Sequence, residues 1–176
     1  LGRIQNYEMT LSDGASKPRG IAFAATVTVT AASATAITYD EIIDLEMSLD
    51  DAYSAGERVG FMMNKATLKL LRKLKDAENR ALLVMGLETT GNRLQLNGKP
   101  VYLNTDMPLP TASNVAILYG DMRRYVVRRT GGTRIVRDPY TQRISRDVDL
   151  FAVVEYADGN LINTGTPAVV ALQMHS

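Results

Sequence analysis

A capped helix, a short buried strand and a second capped helix can be read from residues 38–75, and this run constrains the fold more than any other part of the chain. Thr38 followed three residues later by Glu41 is a capping box. Ile42, Leu45, Leu49 and Tyr53 then recur at helical spacing, so a helix is predicted over Tyr39 to Ala55 that Gly56 can end. The acids Asp40, Glu41 and Asp44 stand in its first turns, where the positive end of the helix dipole favours each by a few tenths to about 1 kcal/mol. Val59 to Met63 is a short apolar run and reads as a buried strand. Asn64 can cap the second helix, with Leu68, Leu71 and Leu74 facing inward and Lys65, Lys69, Arg72, Lys73 and Lys75 on the remaining face. Such a run reads first as a solvated helix surface, although in an assembly it could also meet the acidic helix of a neighbouring copy.

Downstream the periodicity turns to strands. They are predicted at Ala81 to Met85, Leu94 to Leu96, Val101 to Asn104 and Ala116 to Tyr119, with a Gly98-Lys99-Pro100 turn leading into an extended segment that Pro108 and Pro110 stop. Tyr125 to Thr130 and Thr133 to Arg137 flank Gly131-Gly132, a pair that accepts the positive φ of a type I′ turn. The prediction is a two-residue hairpin in which Arg129 faces Arg134. A strand at Val148 to Tyr156, a turn at Asp158-Gly159-Asn160 and a last strand at Ala168 to Gln173 complete the chain.

The 18 residues from Ile21 to Thr38 carry no charge and follow Lys17 and Arg19, which superficially resembles a signal or membrane segment. Thr26, Val27, Thr28, Val29 and Thr30 alternate with period two, however, so a half-buried strand and an Ala/Ser/Thr-rich loop are predicted instead, with no membrane partner. With 176 residues, 45% of them hydrophobic, the chain can bury a core without staples, and its zero cysteines exclude disulfides and thiol chemistry. A net charge of +1 argues against a wholly basic nucleic-acid binder. The charge is nevertheless uneven: the first sixty residues hold nine acids and four bases.

No set of residues supplies a nucleophile, a base and an orienting group. His175 is the one histidine and stands next to the last residue, with no cysteine or second histidine to build a metal site. Asp50-Asp51 lies at a helix end, a poor place for perturbed acid–base carboxylates. Gly131-Gly132 is too short to cradle phosphate. The expectation is no enzyme, no cofactor, no metal and no small-molecule substrate. What remains is the arginine-rich region: Arg123, Arg124, Arg128, Arg129, Arg134, Arg137, Arg143 and Arg146 place eight of the twenty basic residues in twenty-four positions. A basic strand face can touch nucleic acid through phosphate charge alone. Arginines alternating with Tyr125, Val127, Ile135 and Val136 are equally what a subunit contact looks like, and that reading is preferred.

Leu96 to Pro108 (LNGKPVYLNTDMP), Asp13 to Ile21 (DGASKPRGI), the helix pair over Tyr39 to Arg80 and the Gly120-Asp121 pair before a Tyr-Val-Val strand occur in one order and at separations that resemble the major capsid protein of tailed bacteriophages, the shell subunit with the Hong Kong 97-type fold. The resemblance covers all 176 residues. It implies an α+β subunit with an axial domain, helices packed on a central sheet, over residues 21–130, the end of a peripheral spine helix and its turn over 1–20, and peripheral strands over 131–176. It also implies that an N-terminal arm, an extended loop and most of the spine helix would precede Leu1. The implied function is self-assembly through pentamers and hexamers into an icosahedral virion shell around double-stranded DNA, made in the bacterial cytoplasm, with Arg123, Arg124, Arg128, Arg129, Arg134 and Arg137 as candidate subunit or DNA contacts. An encapsulin-type compartment shell shares the fold, and a free-standing nucleic-acid-binding module is the more distant alternative. Some family members crosslink a lysine to an asparagine of the peripheral domain; the strand Arg146 to Tyr156 contains no asparagine, so that activity is not carried over.

Overall fold

The capping box forms as its sequence requires. Thr38 Oγ1 accepts the Glu41 N–H at 3.3 Å, and the Glu41 carboxylate accepts the Thr38 N–H at 2.8 Å and the Ala32 N–H at 2.7 Å. One glutamate thus fixes both the helix start and the loop before it. In this computed structural model, which describes residues 2–15, 17–56, 58–75, 94–138, 150–163 and 165–176, the predicted helix 39–55 is two helices. The first stops at Met47, where the Ser48 hydroxyl donates back to the Leu45 carbonyl at 2.8 Å, and Asp50 caps the second by accepting the Ala52 N–H at 2.8 Å. An aspartate that can satisfy a free N–H competes with helix continuation, and here it wins. The inward stripe survives the break, since Ile42, Leu45, Leu49 and Tyr53 are all buried.

The elements in chain order are α1 (Gly2–Leu11), α2 (Ile21–Ala24), β1 (Thr26–Thr30), α3 (Tyr39–Met47), α4 (Asp51–Ser54), β2 (Val59–Met63), α5 (Lys65–Leu71), β3 (Gln95–Leu96), β4 (Lys99–Leu103), β5 (Val115–Asp121), a 3-10 turn (Met122–Arg124), β6 (Tyr125–Asp138), β7 (Leu150–Leu161) and β8 (Val169–Gln173). The α+β class and the helices on a central sheet are as predicted. Six strands form one mixed sheet in the order β1-β8-β5-β2-β4-β3, and β6 with β7 forms a separate two-stranded ribbon. The strand predicted at Ala81 to Met85 lies outside the described residues. Among the described residues, no helix is long and apolar enough to cross a membrane.

Alternation along the central strands assigns each side chain to one of two cores. Val59, Phe61, Met63, Ile117, Tyr119, Val170 and Leu172 face α3, α4 and α5, which supply Ile42, Leu45, Tyr53, Leu68 and Leu71. Phe61 and Tyr119 stand directly opposite in register, their rings 4.5 Å apart and tilted by 35°. Leu118, Val169 and Ala171 point the other way and are covered by Ile21, Ala22, Met107 and Leu161. Gly120, with φ of 148°, lets β5 and β8 approach, because a Cβ there would stand 2.3 Å from the Ala168 carbonyl oxygen.

Four local predictions are corrected. The turn before β4 is Asn97-Gly98, with φ of 51° and 76°, so Lys99 and Pro100 already belong to the strand; Asn-Gly is the stronger type I′ signal. There is no hairpin at Gly131-Gly132: β6 runs through both glycines, and three residues, 131–133, bulge between the Thr130↔Tyr156 and Arg134↔Val154 pairs, opposite one residue of β7. Gly131, with φ of 73°, serves this bulge. Asp158-Gly159-Asn160 is likewise strand within β7, paired with Arg128, Val127 and Val126. Finally, β1 is an edge strand and is bulged between Val27 and Val29, so the Thr/Val alternation buries only Val29 in part while Val27 is 42% exposed. Residues 169–173 lie inside the main sheet between β1 and β5.

Candidate assembly interface

The ribbon carries most of the arginines singled out above, and its base is held to the body by specific bonds. The Tyr125 hydroxyl donates to the Arg19 carbonyl at 2.9 Å, the Arg19 N–H donates to the Gly159 carbonyl at 2.8 Å, and the Ile162 N–H donates to the Arg124 carbonyl at 2.9 Å. Burial, reinforced by the charge of Asp158, raises the Tyr125 hydroxyl above its ordinary value, which keeps it a donor. Arg19 belongs to the Asp13 to Ile21 motif, which closes on itself through the Asp13↔Arg19 bridge and the Ala15 N–H to Asp13 carboxylate bond of 2.9 Å.

The second motif, Leu96 to Pro108, does comparable work at α1. The Asn104 amide donates to Thr10 Oγ1 at 2.9 Å, while the Asn6 amide donates to Asn104 Oδ1 at 2.9 Å and to the Asp106 carboxylate. Asn64 adds bonds to the carbonyls of Thr105 at 3.1 Å and Met107 at 2.9 Å. These two of the four landmarks behind the family resemblance are therefore junctions that fix α1 and the ribbon to the sheet. Asn6 and Thr10 carry no signal in the sequence. Thr10, a polar residue only 2% exposed, marks the contact only once α1 is seen against the 104–106 loop.

Arg123 and Arg124 stand in the 3-10 turn, where Asp121 accepts the Arg123 N–H at 3.0 Å. Arg124 lies over the Tyr53 ring at 5.2 Å and its Nε is 4.0 Å from Asp121, so this arginine links the ribbon base to α4. In the ribbon register Arg128 faces Asp158, Arg129 faces Ala157, Arg134 faces Val154 and Arg137 faces Phe151. The predicted opposition of Arg129 to Arg134, with its like-charge repulsion, is thereby corrected. Counting through the bulge puts Arg128 and Arg134 on one ribbon face and Arg129 and Arg137 on the other, all four exposed. These four arginines do not share one strand face. Both faces mix arginine with exposed apolar residues: Val126 is 49% exposed on one, and Ile135 is 68% exposed on the other.

A two-stranded ribbon cannot bury either face by itself. Mixtures of arginine and aliphatic side chains are common at protein contacts, and both faces here carry one. The shallow cavity of about 210 Å³ at its base, lined by Val126, Arg128, Asp158, Asn160 and Ile162, is smaller than the several hundred Å³ typical of small-molecule sites. Among the described residues, no three of His, Cys, Asp and Glu gather to hold a metal. His175 is exposed, with Nδ1 2.8 Å from the Ser176 oxygen.

A model of the phage capsid family matches residues 1–174. The capsid of a native GTA particle computed with C5 symmetry superposes at a TM-score of 0.79 with 26% identity, over 99% of this chain and 61% of that one. The capsid of an empty GTA particle, also computed with C5 symmetry, gives 0.77 and 26% over 99% of this chain and 62% of that one. A structure described as Gordonia phage Cozz gives 0.66 and 15% over 98% and 59%, a likeness of fold alone. The chain thus spans about three-fifths of each of these. No curated protein matches it.

Proposed function

Because this chain belongs to the phage capsid family, we propose that it acts as a structural shell subunit, assembling with copies of itself through pentamers and hexamers into an icosahedral virion capsid around double-stranded DNA. The observation that carries the proposal is the family match over residues 1–174 together with the superposition on two GTA capsids at 26% identity. The role is architectural and non-catalytic, exercised in the virion after synthesis in the bacterial cytoplasm. In this reading the six-stranded sheet with α2 to α5, β8 included, is the axial domain, while α1, the Asp13 to Gly20 turn and the ribbon are peripheral. Arg128, Arg129, Arg134 and Arg137 contact neighbouring subunits in preference to DNA, since they are divided between two faces interleaved with apolar residues. The likeness to phage and GTA particles favours a capsid over an encapsulin compartment.

Electron microscopy and light scattering of the full-length protein expressed in bacteria test this. Closed shells, or pentamers and hexamers that close when mixed, are expected. A protein that stays monomeric at every concentration and salt condition that supports related capsids would refute it.

A further inference from the structure

The outer surface of α3 and the outer surface of α5 carry opposite charge, and within one chain they do not use it on each other. Asp40, Ile43, Asp44 and Met47 follow at i, i+3, i+4 and i+7, the spacing of a single helix face. That face points away from the core: Ile42 and Leu45 are fully buried, while Ile43 is 36% and Met47 is 74% exposed. Glu41 is committed to the cap and Glu46 to the Asn97 amide at 3.1 Å, which leaves Asp40 and Asp44 as the acids framing an apolar strip. On α5 and just past its end, Lys65, Lys69 and Arg72 share one face and Lys73 flanks it, all exposed. Among the described residues, none of these four cations and neither Asp40 nor Asp44 is in an ion pair, whereas Lys17 pairs with Glu8 and Arg124 with Asp121.

We propose that the outer face of α3 in one copy docks on the basic face of α5 in a second copy of this chain. The inference rests on the shell reading above and deepens it. Because the two surfaces differ, the contact is heterologous: each copy offers both halves, and repetition around an axis closes a ring. The chemistry on both sides is matched. The lysine and arginine stems of α5 are long enough to lie across Ile43 and Met47 while their heads reach Asp40 and Asp44. Exposed ion pairs add little affinity, so this contact sets the orientation and encounter rate of subunits, and larger surfaces hold the ring. No nucleic acid accounts for the acidic, apolar half of the pair.

The test is charge reversal in the full-length protein, read as particle yield and capsomer population. Lys69→Glu with Arg72→Glu should lower the particle yield at least tenfold, as should Asp40→Lys with Asp44→Lys. Joining the four substitutions should return it to within about threefold of wild type. Reversal at Asp40 also opposes the α3 dipole, so a further variant separates docking from folding: Met47→Lys, at the helix C-terminal end where a cation is tolerated. It should melt like wild type, lose particles, and regain them when combined with Lys69→Glu. Single reversals that assemble normally, or a combined variant no better than its parents, overturn this contact and leave the shell reading intact. A wild-type protein that never assembles overturns the shell reading itself.

Discussion

Tyr125 and Arg19 are joined by a hydrogen bond from the tyrosine hydroxyl to the arginine's backbone carbonyl, 2.9 Å long, across 106 residues of sequence. The ring lies against Gly159, where a Cβ would stand 2.5 Å from the hydroxyl oxygen. Three segments distant in sequence, the Asp13 to Gly20 turn, the start of β6 and the end of β7, therefore share one joint. Tyr125→Phe is expected to cost about 0.5–1.5 kcal/mol. Gly159→Ala, which pushes the ring off its acceptor, is expected to cost about 1–3 kcal/mol. Urea denaturation measures both, and faster hydrogen exchange at the Arg19 amide, whose acceptor is the Gly159 carbonyl, reports that the joint has opened. An unchanged Arg19 amide in Gly159→Ala would show that the ring can move without it.

The sheet interior gives a sharper expectation at Gly120. Its φ of 148°, and the mere 2.3 Å that would separate an added Cβ from the Ala168 carbonyl oxygen, leave no room for a side chain. Gly120→Ala should destabilise by about 3 kcal/mol or more, since the strand must shift as well as adopt an unfavourable φ. Gly98→Ala, also at positive φ but with open space around it, should cost about 1–2 kcal/mol. Equal losses in thermal melts of the two variants would contradict the steric account.

At the start of α3, Thr38→Ala removes one cap acceptor and is expected to cost about 1 kcal/mol. Glu41→Ala removes the acceptor of both the Thr38 and Ala32 amides and should cost more, about 1–3 kcal/mol. Guanidinium melts that rank Thr38→Ala as the more damaging change would show that the loop bond to Ala32 carries little.

Alkaline pH probes the core. Burial, and then the charge of Glu46, pushes the Tyr119 hydroxyl up from its ordinary 10.0 to about 12. The unfolded chain gives up that proton first. Between pH 10 and 12 it consequently holds fewer protons than the folded chain, and stability falls as pH rises, with no pH dependence from Tyr119 below that window. Tyr125 is raised too, by burial and then Asp158, and steepens the same fall. Denaturation midpoints of Tyr119→Phe should decline less between pH 10 and 12 than those of wild type; parallel curves would exclude Tyr119 as a source.

Where local chemistry decides structure, the sequence was readable. Thr38 with Glu41, Asn64, and the buried run Val59 to Met63 each satisfy their own requirements within a few residues, and all took the predicted conformation. The failures lie where a distant partner decides. Gly131-Gly132 suits a type I′ turn and a bulge equally, and the choice falls to β7, whose pairing with β6 continues on both sides of the glycines. Asp158 and Gly159 look like a turn, yet Tyr125 and Arg128 hold them in a strand. The arginine cluster was visible as composition. Its division into Arg128 with Arg134 and Arg129 with Arg137 was hidden by the expected hairpin, which set Arg129 opposite Arg134; in one continuous strand the bulge adds two residues, an even number, and plain alternation is kept.

The place of β8 has a consequence for how the protein is made. It is translated after the other five strands of its sheet, yet it lies between β1 and β5 and pairs with both. Until Val169 to Gln173 emerge, a nascent chain holds β1 without the strand it pairs with among the described residues and β5 with one edge uncovered, the kind of exposed template that recruits other chains. β5 is translated seconds ahead of β8, and neighbouring ribosomes on one message keep many such edges close together. The order of synthesis thus keeps this sheet open at its middle until β8 arrives to join β1 to β5.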